Sequence, residues 1–267
     1  MTRQRQQDTS DRSLWTVYQD HFRSAVYTDL THSFFPGQPR FLALPDQTLS
    51  SFLKLSEGAL FEIHQYGFVG QWGTHVDPPL HMVAGGRSVD QLEVHEMLLP
   101  LCVLNVSEQV RADSDYRPSL GDLHAWESRH GRVPAGSFVA LCSDWSKRWP
   151  DPERMRNADP AGVAHFPGWS REVLGALFEE RHVTAVGHET TDTDGGVASS
   201  RDGDWSLEAY ILGRDRWQIE LLTRLDEVPE VGALILASWP KPHGGSGFPA
   251  RAVAISPGPA PAGPDTP

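Results

Sequence analysis

Cysteine is scarce in this sequence: the 267 residues include two, Cys102 and Cys142. Each lies inside an apolar run typical of a strand and has no neighbouring base that would activate a nucleophile. Small secreted domains that are held together by disulfides have a far higher cysteine content. The count therefore excludes a disulfide framework and predicts two buried, reduced thiols in a cytoplasmic protein.

Long hydrophobic runs and an excess of positive charge are also missing. No apolar run approaches the about 20 residues of a membrane span, and the N-terminal segment lacks the apolar centre of a secretory signal. The 23 Lys+Arg residues face 35 Asp+Glu residues, which gives a net charge of -12. This balance argues against nucleic acid or an anionic membrane as a partner. The remaining expectation is a cytoplasmic protein that acts on a small molecule.

The chain is predicted to form one domain, because neither an internal repeat nor a linker interrupts it. Length alone leaves one large domain or two small ones open. Residues 1–11 are polar and predicted to be flexible, and the Pro-rich segment 256–267 is predicted to be disordered. The folded domain is therefore expected over residues 12–255.

Hydrophobic patterning predicts an α/β fold with a mixed β-sheet and flanking helices, because strand candidates outnumber helix candidates and the two are interspersed. Apolar residues at helical spacing predict an amphipathic helix over Leu14–Val26. Ser170 is a favourable N-cap for another helix. Helices are also predicted at 118–130, 170–182 and 206–214, and strands at 58–67, 69–77, 99–106, 136–143, 183–188, 216–222, 231–238 and 250–255.

The stretch from Gln71 to His81 carries the clearest chemical pattern. In an extended strand over 69–77, alternate side chains point to one face, namely Gln71, Gly73, His75 and Asp77. That face combines an amide oxygen, an imidazole and a carboxylate, which are ligands for a divalent metal. The two prolines that follow end the strand and turn the chain so that His81 returns toward the same place. A polar edge strand with chance histidines is the alternative interpretation.

This stretch resembles the signature His-X-Gly-Thr-His-X-Asp-X-Pro-X-His of the metal-dependent cyclase family. That family includes bacterial kynurenine formamidases, isatin hydrolases and some aromatic polyketide ring cyclases. Six positions match in place: Gly73, Thr74, His75, Asp77, Pro79 and His81. Segments around Tyr27, His165 and Gly247 are similar to the family's opening strand, pre-helix segment and closing strand. The resemblance covers roughly residues 26–255.

The resemblance implies a single swivelling β/β/α-like domain that assembles as a homodimer or homotetramer around metal-dependent chemistry. Two positions depart from the family, since Gln71 and Glu208 stand where it has histidines. Glu208 precedes Glu220 by the family's twelve residues. Glu220 itself lies in an apolar run, where a carboxylate is costly unless it is paired or binds a cation.

The predicted metal ligands are therefore Gln71, His75, Asp77, Glu208 and Glu220. Oxygen donors dominate this set, which favours Mn²⁺, with Zn²⁺ or Mg²⁺ as alternatives. Whether the site holds one ion or two stays open. For Glu208, a solvated position on a helix is the alternative interpretation.

Four further residues are predicted to bind substrate: Trp72, His32, His165 and Glu189. Trp72 lies beside the signature and offers an aromatic wall. His32 and His165 belong to segments similar to the family. Glu189 follows a predicted strand, where ligand sites of α/β folds gather. Core packing of Trp72 and a turn at Glu189 are the alternatives.

The predicted function is hydrolysis of an amide, lactam, lactone or ester in a small cyclic or aromatic substrate. A metal would polarise the carbonyl and activate water. His81 would be the general acid/base near neutral pH, with Glu220 as a second catalytic group. Aldol-type ring closure in aromatic polyketide antibiotic biosynthesis is the first alternative, and a non-catalytic metal-binding or ligand-binding relative is the second.

Overall fold

The computed structural model describes residues 13–258. The segment 1–11, predicted to be flexible, and the part of the predicted tail beyond residue 258 lie outside the described residues. Ser256, which was expected to begin the tail, is instead the last residue of a strand and pairs with Val26. The folded part of the chain therefore extends slightly further than the sequence indicated.

The described residues form eleven strands: β1 (Val26–Asp29), β2 (Thr48–Leu53), β3 (Ile63–Gly67), β4 (His75–Asp77), β5 (Leu98–Asn105), β6 (Phe138–Cys142), β7 (Ala185–His188), β8 (Trp217–Glu220), β9 (Ala233–Ser238), β10 (Phe248–Pro249) and β11 (Arg251–Ser256). Nine of them build one curled mixed sheet in the order β1-β11-β9-β5-β6-β7-β8-β4-β10. The central strands β5 to β8 are parallel, and the outer pairs are antiparallel. β2 and β3 form a separate hairpin.

Helices flank this sheet: α1 (Leu14–Val17), α2 (Ser107–Ala112), α3 (Leu120–His130), α4 (Pro152–Arg156), α5 (Arg171–Gly175) and α6 (Ser206–Leu212). Short 3₁₀ segments lie at Leu55–Glu57, Pro79–His81, Val89–Gln91, Val94–Met97, Trp145–Arg148 and Leu225–Glu227, and π-helical turns at Tyr18–Phe22, Ala176–Glu180 and Ala198–Asp202. The predicted single α/β domain with a mixed sheet and flanking helices is thus confirmed.

The central strands bury both of their faces. Along β6, Val139 and Leu141 pack in one apolar cluster with helix residues such as Leu174 and Ile211. Phe138, whose side chain alternates to the other face, packs in a second cluster. Parallel strands that are covered on both sides read as continuous apolar runs, which explains why these strands were recognisable from the sequence.

The predicted strand 69–77 is wrong over most of its length, since β4 begins only at His75. Gly73 has φ +63°, a left-handed conformation that glycine adopts without strain. A Cβ at this position would also lie 3.0 Å from the Cβ of Phe34. A turn before the strand, rather than strand alternation, therefore places Gln71 and His75 beside the same cavity.

Other boundaries also differ from the prediction. The helix expected over Leu14–Val26 ends as a π-helical turn at Phe22, and Val26 already belongs to β1. The strand predicted over 58–67 is confined to Ile63–Gly67, and no strand was predicted at β2. By contrast, the Ser170 side chain accepts a hydrogen bond from the Val173 N–H and caps α5 as predicted.

Both cysteines are buried and unpaired, as the sequence indicated. Burial raises the pKa of Cys102 to about 11 and moves that of Cys142 further above its usual range. Neither thiol is therefore placed to act as a nucleophile at neutral pH.

Within residues 13–258, none of the helices has the length and apolar character needed to span a bilayer.

Candidate metal centre

Two antiparallel strands bring the chemical groups together. β4 pairs with β8 so that His75 lies opposite Glu220 and Asp77 lies opposite Gln218. Directly opposite residues of an antiparallel pair share a face of the sheet. The intervening Val76 faces the apolar core instead. The register thus places an imidazole, two carboxylates and an amide on one face.

The imidazole of His75 has a defined tautomer. Its Nδ1 lies 2.8 Å from the carbonyl oxygen of Gly73, and because a carbonyl oxygen only accepts, Nδ1 carries the hydrogen. Nε2 is then left with its lone pair, 3.3 Å from Asp77 Oδ2 and 3.7 Å from Glu220 Oε2. A hydrogen bond from the second ring nitrogen orients metal-binding histidines in this way.

Two groups of possible ligands overlap at Asp77. His75, Asp77 and Glu220 form the first, and Asp77, His81 and Glu208 form the second; within each, one ligand atom per residue lies within 4.8 Å of the others. The 3₁₀ turn after β4 supplies His81, whose Nε2 lies 3.5 Å from Glu208 Oε1. Helix α6 supplies Glu208. The structure therefore assembles four of the five predicted metal ligands together with the predicted general base.

A buried amide lies between the carboxylates. Gln218 Nε2 lies 3.2 Å from Glu208 Oε1, 3.3 Å from Glu220 Oε1 and 3.4 Å from Asp77 Oδ2. Its Oε1 accepts a hydrogen bond of 2.8 Å from the Thr193 hydroxyl, which fixes the amide with its donor side toward the acids. Gln218 thus connects all three carboxylates of the cluster.

The cluster is electrostatically strained in the absence of a cation. Burial lowers the pKa of His75, but the Asp77 carboxylate outweighs it and the pKa is raised overall. Burial opposes ionisation of Asp77, yet attraction to His75 lowers its pKa to about 2. Burial and then the charge of Asp77 raise the pKa of Glu208 and Glu220 well above the usual range. These two carboxyls hold protons that a divalent cation would displace.

His188 provides an independent test of whether a cation fits. This side chain is fully buried on β7, and neither ring nitrogen has a hydrogen-bond partner. Its Nε2 is 3.3 Å from Glu220 Oε1, close enough for an ion pair but without hydrogen-bond alignment. Burial lowers the pKa of His188 to about 3, so the ring is neutral and offers a lone pair.

The charge balance of the cluster also indicates that a cation fits there. In the part of the chain that the structure describes, Asp77, Glu208 and Glu220 form ion pairs only with histidines. A buried carboxylate without a permanent positive partner is unfavourable. Imidazole and carboxylate donors around an unpartnered buried nitrogen are suited to a divalent metal such as Mn²⁺ or Zn²⁺.

Gln71 reaches the cluster by its amide nitrogen. Nε2 lies 3.3 Å from Asp77 Oδ1 and donates a 2.8 Å hydrogen bond to the Ser246 carbonyl oxygen. It also lies 3.2 Å from His81 Nδ1, which must be the acceptor because an amide nitrogen only donates. Gly247 packs directly against this amide, where a Cβ would collide with it. In this orientation the Gln71 amide nitrogen contacts Asp77 and His81. Binding of the metal by the amide oxygen of Gln71 remains a prediction.

A cavity of about 310 Å³ opens onto the cluster. Its walls are mainly apolar and include Phe41, Leu44, Met82, Trp205 and Leu221, with the Arg40 side chain at one side. His81 is partly exposed, whereas Asp77 and Glu220 are buried at the base. A flat apolar molecule entering this cavity would meet the histidine and the carboxylates with one edge.

Two of the predicted substrate-binding residues, Trp72 and Glu189, do not line this cavity, because their polar atoms are engaged elsewhere, and substrate contact by them remains a prediction. Trp72 is fully buried, and its indole N–H donates a 2.7 Å hydrogen bond to Gln47 Oε1. The Glu189 carboxylate accepts hydrogen bonds from the Ser143 N–H and hydroxyl and from the Ser146 hydroxyl. Both residues stabilise the structure around the site and do not line the cavity.

The two predicted histidines also lie outside the cavity walls. His32 is buried and stacks on Trp149 with 4.2 Å between ring centroids, and burial lowers its pKa to about 4. His165 Nδ1 lies 2.6 Å from Asp115 Oδ2, an ion pair that raises the pKa of this imidazole. Neither histidine therefore lines this cavity, and substrate contact by either of them remains a prediction.

Three residues near the cluster were missed: Asp192, His188 and Gln218. Asp192 lines the cavity, and burial raises its pKa to about 7. One usable signal was present in the sequence, because Gln218 precedes Glu220 by two residues and so shares its strand face. His188 and Asp192 lie in the same segment at the end of β7 as Glu189, which was predicted to bind substrate in their place.

Comparisons with known proteins agree with this geometry. The family model described as "Putative cyclase" matches residues 28–195. An isatin hydrolase of Roseibium aggregatum is 30% identical over 189 residues, covering 69% of this chain and 71% of the relative. Isatin hydrolase A of Ralstonia solanacearum superimposes with a TM-score of 0.82 at 30% identity, covering 91% of this chain and 96% of that one. An isatin hydrolase bound to the product analogue thioisatinate gives a TM-score of 0.82 at 25% identity, with 96% and 100% covered. The chain therefore belongs to the cyclase family and is a metal-dependent hydrolase.

Proposed function

We propose that this enzyme hydrolyses a lactam, amide, lactone or ester in a small aromatic ring system, with an isatin-like fused lactam as the first candidate. The observation that supports this most strongly is the partly exposed His81 beside a histidine–carboxylate cluster, at the base of an apolar cavity. The names of the compared relatives add the substrate class, since they are isatin hydrolases and one holds an analogue of the hydrolysis product.

A divalent metal held by His75, Asp77, Glu220 and Glu208 would lower the pKa of a water ligand and polarise the scissile carbonyl. The amide of Gln71 donates to His81 Nδ1, which leaves the hydrogen of a neutral ring at Nε2, 3.5 Å from Glu208 Oε1. Because Nδ1 is engaged by Gln71, the Glu208 carboxylate would take up the proton of the attacking water. The His81 Nε2–H would give a proton to the leaving nitrogen or oxygen, and the proton on Glu208 would replace it. With the metal bound, Glu220 and Asp77 would both be ionised at the base of the site.

The ion that this donor set favours is Mn²⁺. Three of the four proposed ligands are carboxylates, and Gln71 would add a neutral oxygen at most. Hard oxygen donors suit Mn²⁺ and Mg²⁺ better than Zn²⁺, which prefers nitrogen and sulfur. Zn²⁺ or Mg²⁺ in place of Mn²⁺ is tested by metal analysis of the protein as purified.

We also propose that the protein is a cytoplasmic homodimer or homotetramer. Both faces of the β2–β3 hairpin are exposed, with large apolar side chains at Phe52 and Leu60, and α1 exposes Leu14 and Trp15. An isolated two-stranded hairpin is marginally stable in water, and apolar patches of this kind mark association surfaces. The two unpaired buried cysteines agree with a reducing compartment. Light scattering at micromolar concentration tests the assembly, and a monomer would contradict it.

Hydrolysis is favoured over polyketide ring closure because the compared proteins at 30% identity are isatin hydrolases. A non-catalytic role does not account for a histidine held at the cavity beside a carboxyl with a raised pKa. The test follows the absorbance of isatin during incubation with metal-loaded protein. Turnover that a chelator abolishes and Mn²⁺ restores supports the proposal. Absence of turnover on isatin, formanilide and phenyl acetate with every metal would contradict it.

A further inference from the structure

A second cavity adjoins the one above the metal centre. Its volume is about 390 Å³, and the two cavities share a wall formed by Pro39, Arg40, Phe41, Thr191, Asp192 and Trp205. The second cavity extends away from the histidines toward α4. Nothing in the proposed chemistry uses this space.

The division between the cavities consists of side chains. The rings of Phe41 and Trp205 meet edge to face, with centroids 6.3 Å apart and planes at 80°. Each of these residues remains 37% exposed, so neither ring is locked by surrounding core. An aromatic pair of this kind can hold a flat group between or beside its rings.

The backbone that carries Phe41 is held in place. Arg40 Nε donates to the Leu44 carbonyl oxygen at 3.2 Å, and the Gly37 N–H donates to Asp46 Oδ1 at 2.9 Å. The Arg40 guanidinium also lies over the ring of the buried Trp72, 5.8 Å from its centroid. The shared wall is therefore preformed, which is usual for small-molecule sites.

The second cavity has the lining of an aryl-binding site. Apolar groups from two elements face it, including Leu42, Ala43, Met155 and Phe166. Asp192 provides a half-buried polar group at the junction of the two cavities. Ligand sites combine a mostly apolar lining with a few polar groups in this way.

We propose, on the basis of the hydrolase function above, that the site accepts, besides a fused lactam, a substrate whose two ring groups are joined through the scissile ester or amide. One ring binds beside the metal centre, and the second binds beyond Phe41 and Trp205. The first cavity alone lies at the lower end of the roughly 300–1,000 Å³ of ligand pockets. Both cavities together accommodate a substrate of two rings.

The experiment compares a one-ring and a two-ring ester, phenyl acetate and phenyl benzoate, with the Mn²⁺-loaded protein. Ala43→Phe fills the second cavity from an exposed position of its lining, and Ala43→Ser is the matched control. We expect Ala43→Phe to lower kcat/KM for phenyl benzoate by at least about tenfold and to change that for phenyl acetate less than about twofold. Leu42→Ala, at another exposed position, should raise KM for phenyl benzoate alone.

Binding separates this inference from the proposed function. Calorimetric titration of the Mn²⁺-loaded protein with benzanilide, a two-ring amide, reports the second cavity even if neither ester is hydrolysed. Weaker benzanilide binding in Ala43→Phe than in Ala43→Ser supports the two-ring site. Equal effects of Ala43→Phe on both esters, or unchanged benzanilide binding in that variant, would overturn it. Failure of all hydrolysis with intact benzanilide binding would contradict only the proposed function.

Discussion

Replacement of Gln218 by methionine should destabilise the metal-free protein much more than the metal-loaded protein. Methionine has a similar volume but removes the donor group that faces Asp77, Glu208 and Glu220. The two amide hydrogens satisfy two of these acids at a time. The hydrogen bond to ionised Asp77 contributes about 1.5–3 kcal/mol and one to a carboxyl that holds its proton about 1 kcal/mol, so their loss amounts to about 3 kcal/mol.

The hydrogen bond between Gln218 and Thr193 is lost as well. It contributes about 1 kcal/mol, as a neutral hydrogen bond does, and a cation cannot replace it. With metal bound, the positive charge compensates the carboxylates directly. We therefore expect a loss of about 4 kcal/mol without metal and of about 1 kcal/mol with saturating Mn²⁺.

Urea unfolding at pH 8, with a chelator in one series and with Mn²⁺ in the other, measures both values. Gln109→Met is the matched control, because Gln109 Nε2 donates a single 3.2 Å hydrogen bond to Asp122, which belongs to neither candidate ligand group. Its small effect should be the same in both series. An equal loss in both series for Gln218→Met would refute the reasoning, since Gln218 would then act only as a packing residue.

Three further predictions concern the same cluster. His81→Ala should retain bound metal and lose about 10²–10⁴ in turnover, the usual contribution of a general acid/base; full activity by steady-state assay would remove this residue from the mechanism. The metal-free protein should lose stability as pH rises from 5 to 8, because His75, Glu208 and Glu220 have raised pKa values and the native state binds protons that the unfolded state has released. A melting temperature that stays constant or rises between pH 5 and pH 8 would contradict these raised pKa values. Saturating Mn²⁺ should abolish the dependence of the melting temperature on pH. Gln71→His should shift competitive loading from Mn²⁺ toward Zn²⁺, and identical loading ratios would mean that position 71 does not reach the metal.

The candidate ligands were recognisable in the sequence where local chemistry alone points to them. His75 and Asp77 alternate on a short strand that ends at a Pro-Pro turn, and Glu220 is a carboxylate in an otherwise apolar strand. Both patterns are unusual enough to require a functional explanation. The mixed sheet was predictable for a related reason, because its buried central strands are continuous apolar runs.

The remaining features depend on contacts between distant segments. Glu189 and Asp192 both follow β7, and which of them faces the cavity is decided by Ser143, whose N–H and hydroxyl bind Glu189. Gln218 shares the strand face of Glu220, which the sequence shows, but only the register of β8 against β4 places it opposite Asp77. The error at 69–77 has a local origin, since Gly73 adopts a left-handed turn that strand alternation does not anticipate.

The central claim is that hydrolysis depends on a metal bound at Asp77, which both groups of possible ligands share. The most direct measurement titrates chelator-treated protein with Mn²⁺ while metal content and isatin hydrolysis are recorded together, with folded Asp77→Ala as the matched variant. We expect turnover to rise in proportion to bound metal in the wild-type protein. Asp77→Ala, verified as folded by circular dichroism, should neither hold metal nor hydrolyse isatin. Undiminished hydrolysis by metal-free protein, or full metal content and activity in Asp77→Ala, would contradict it.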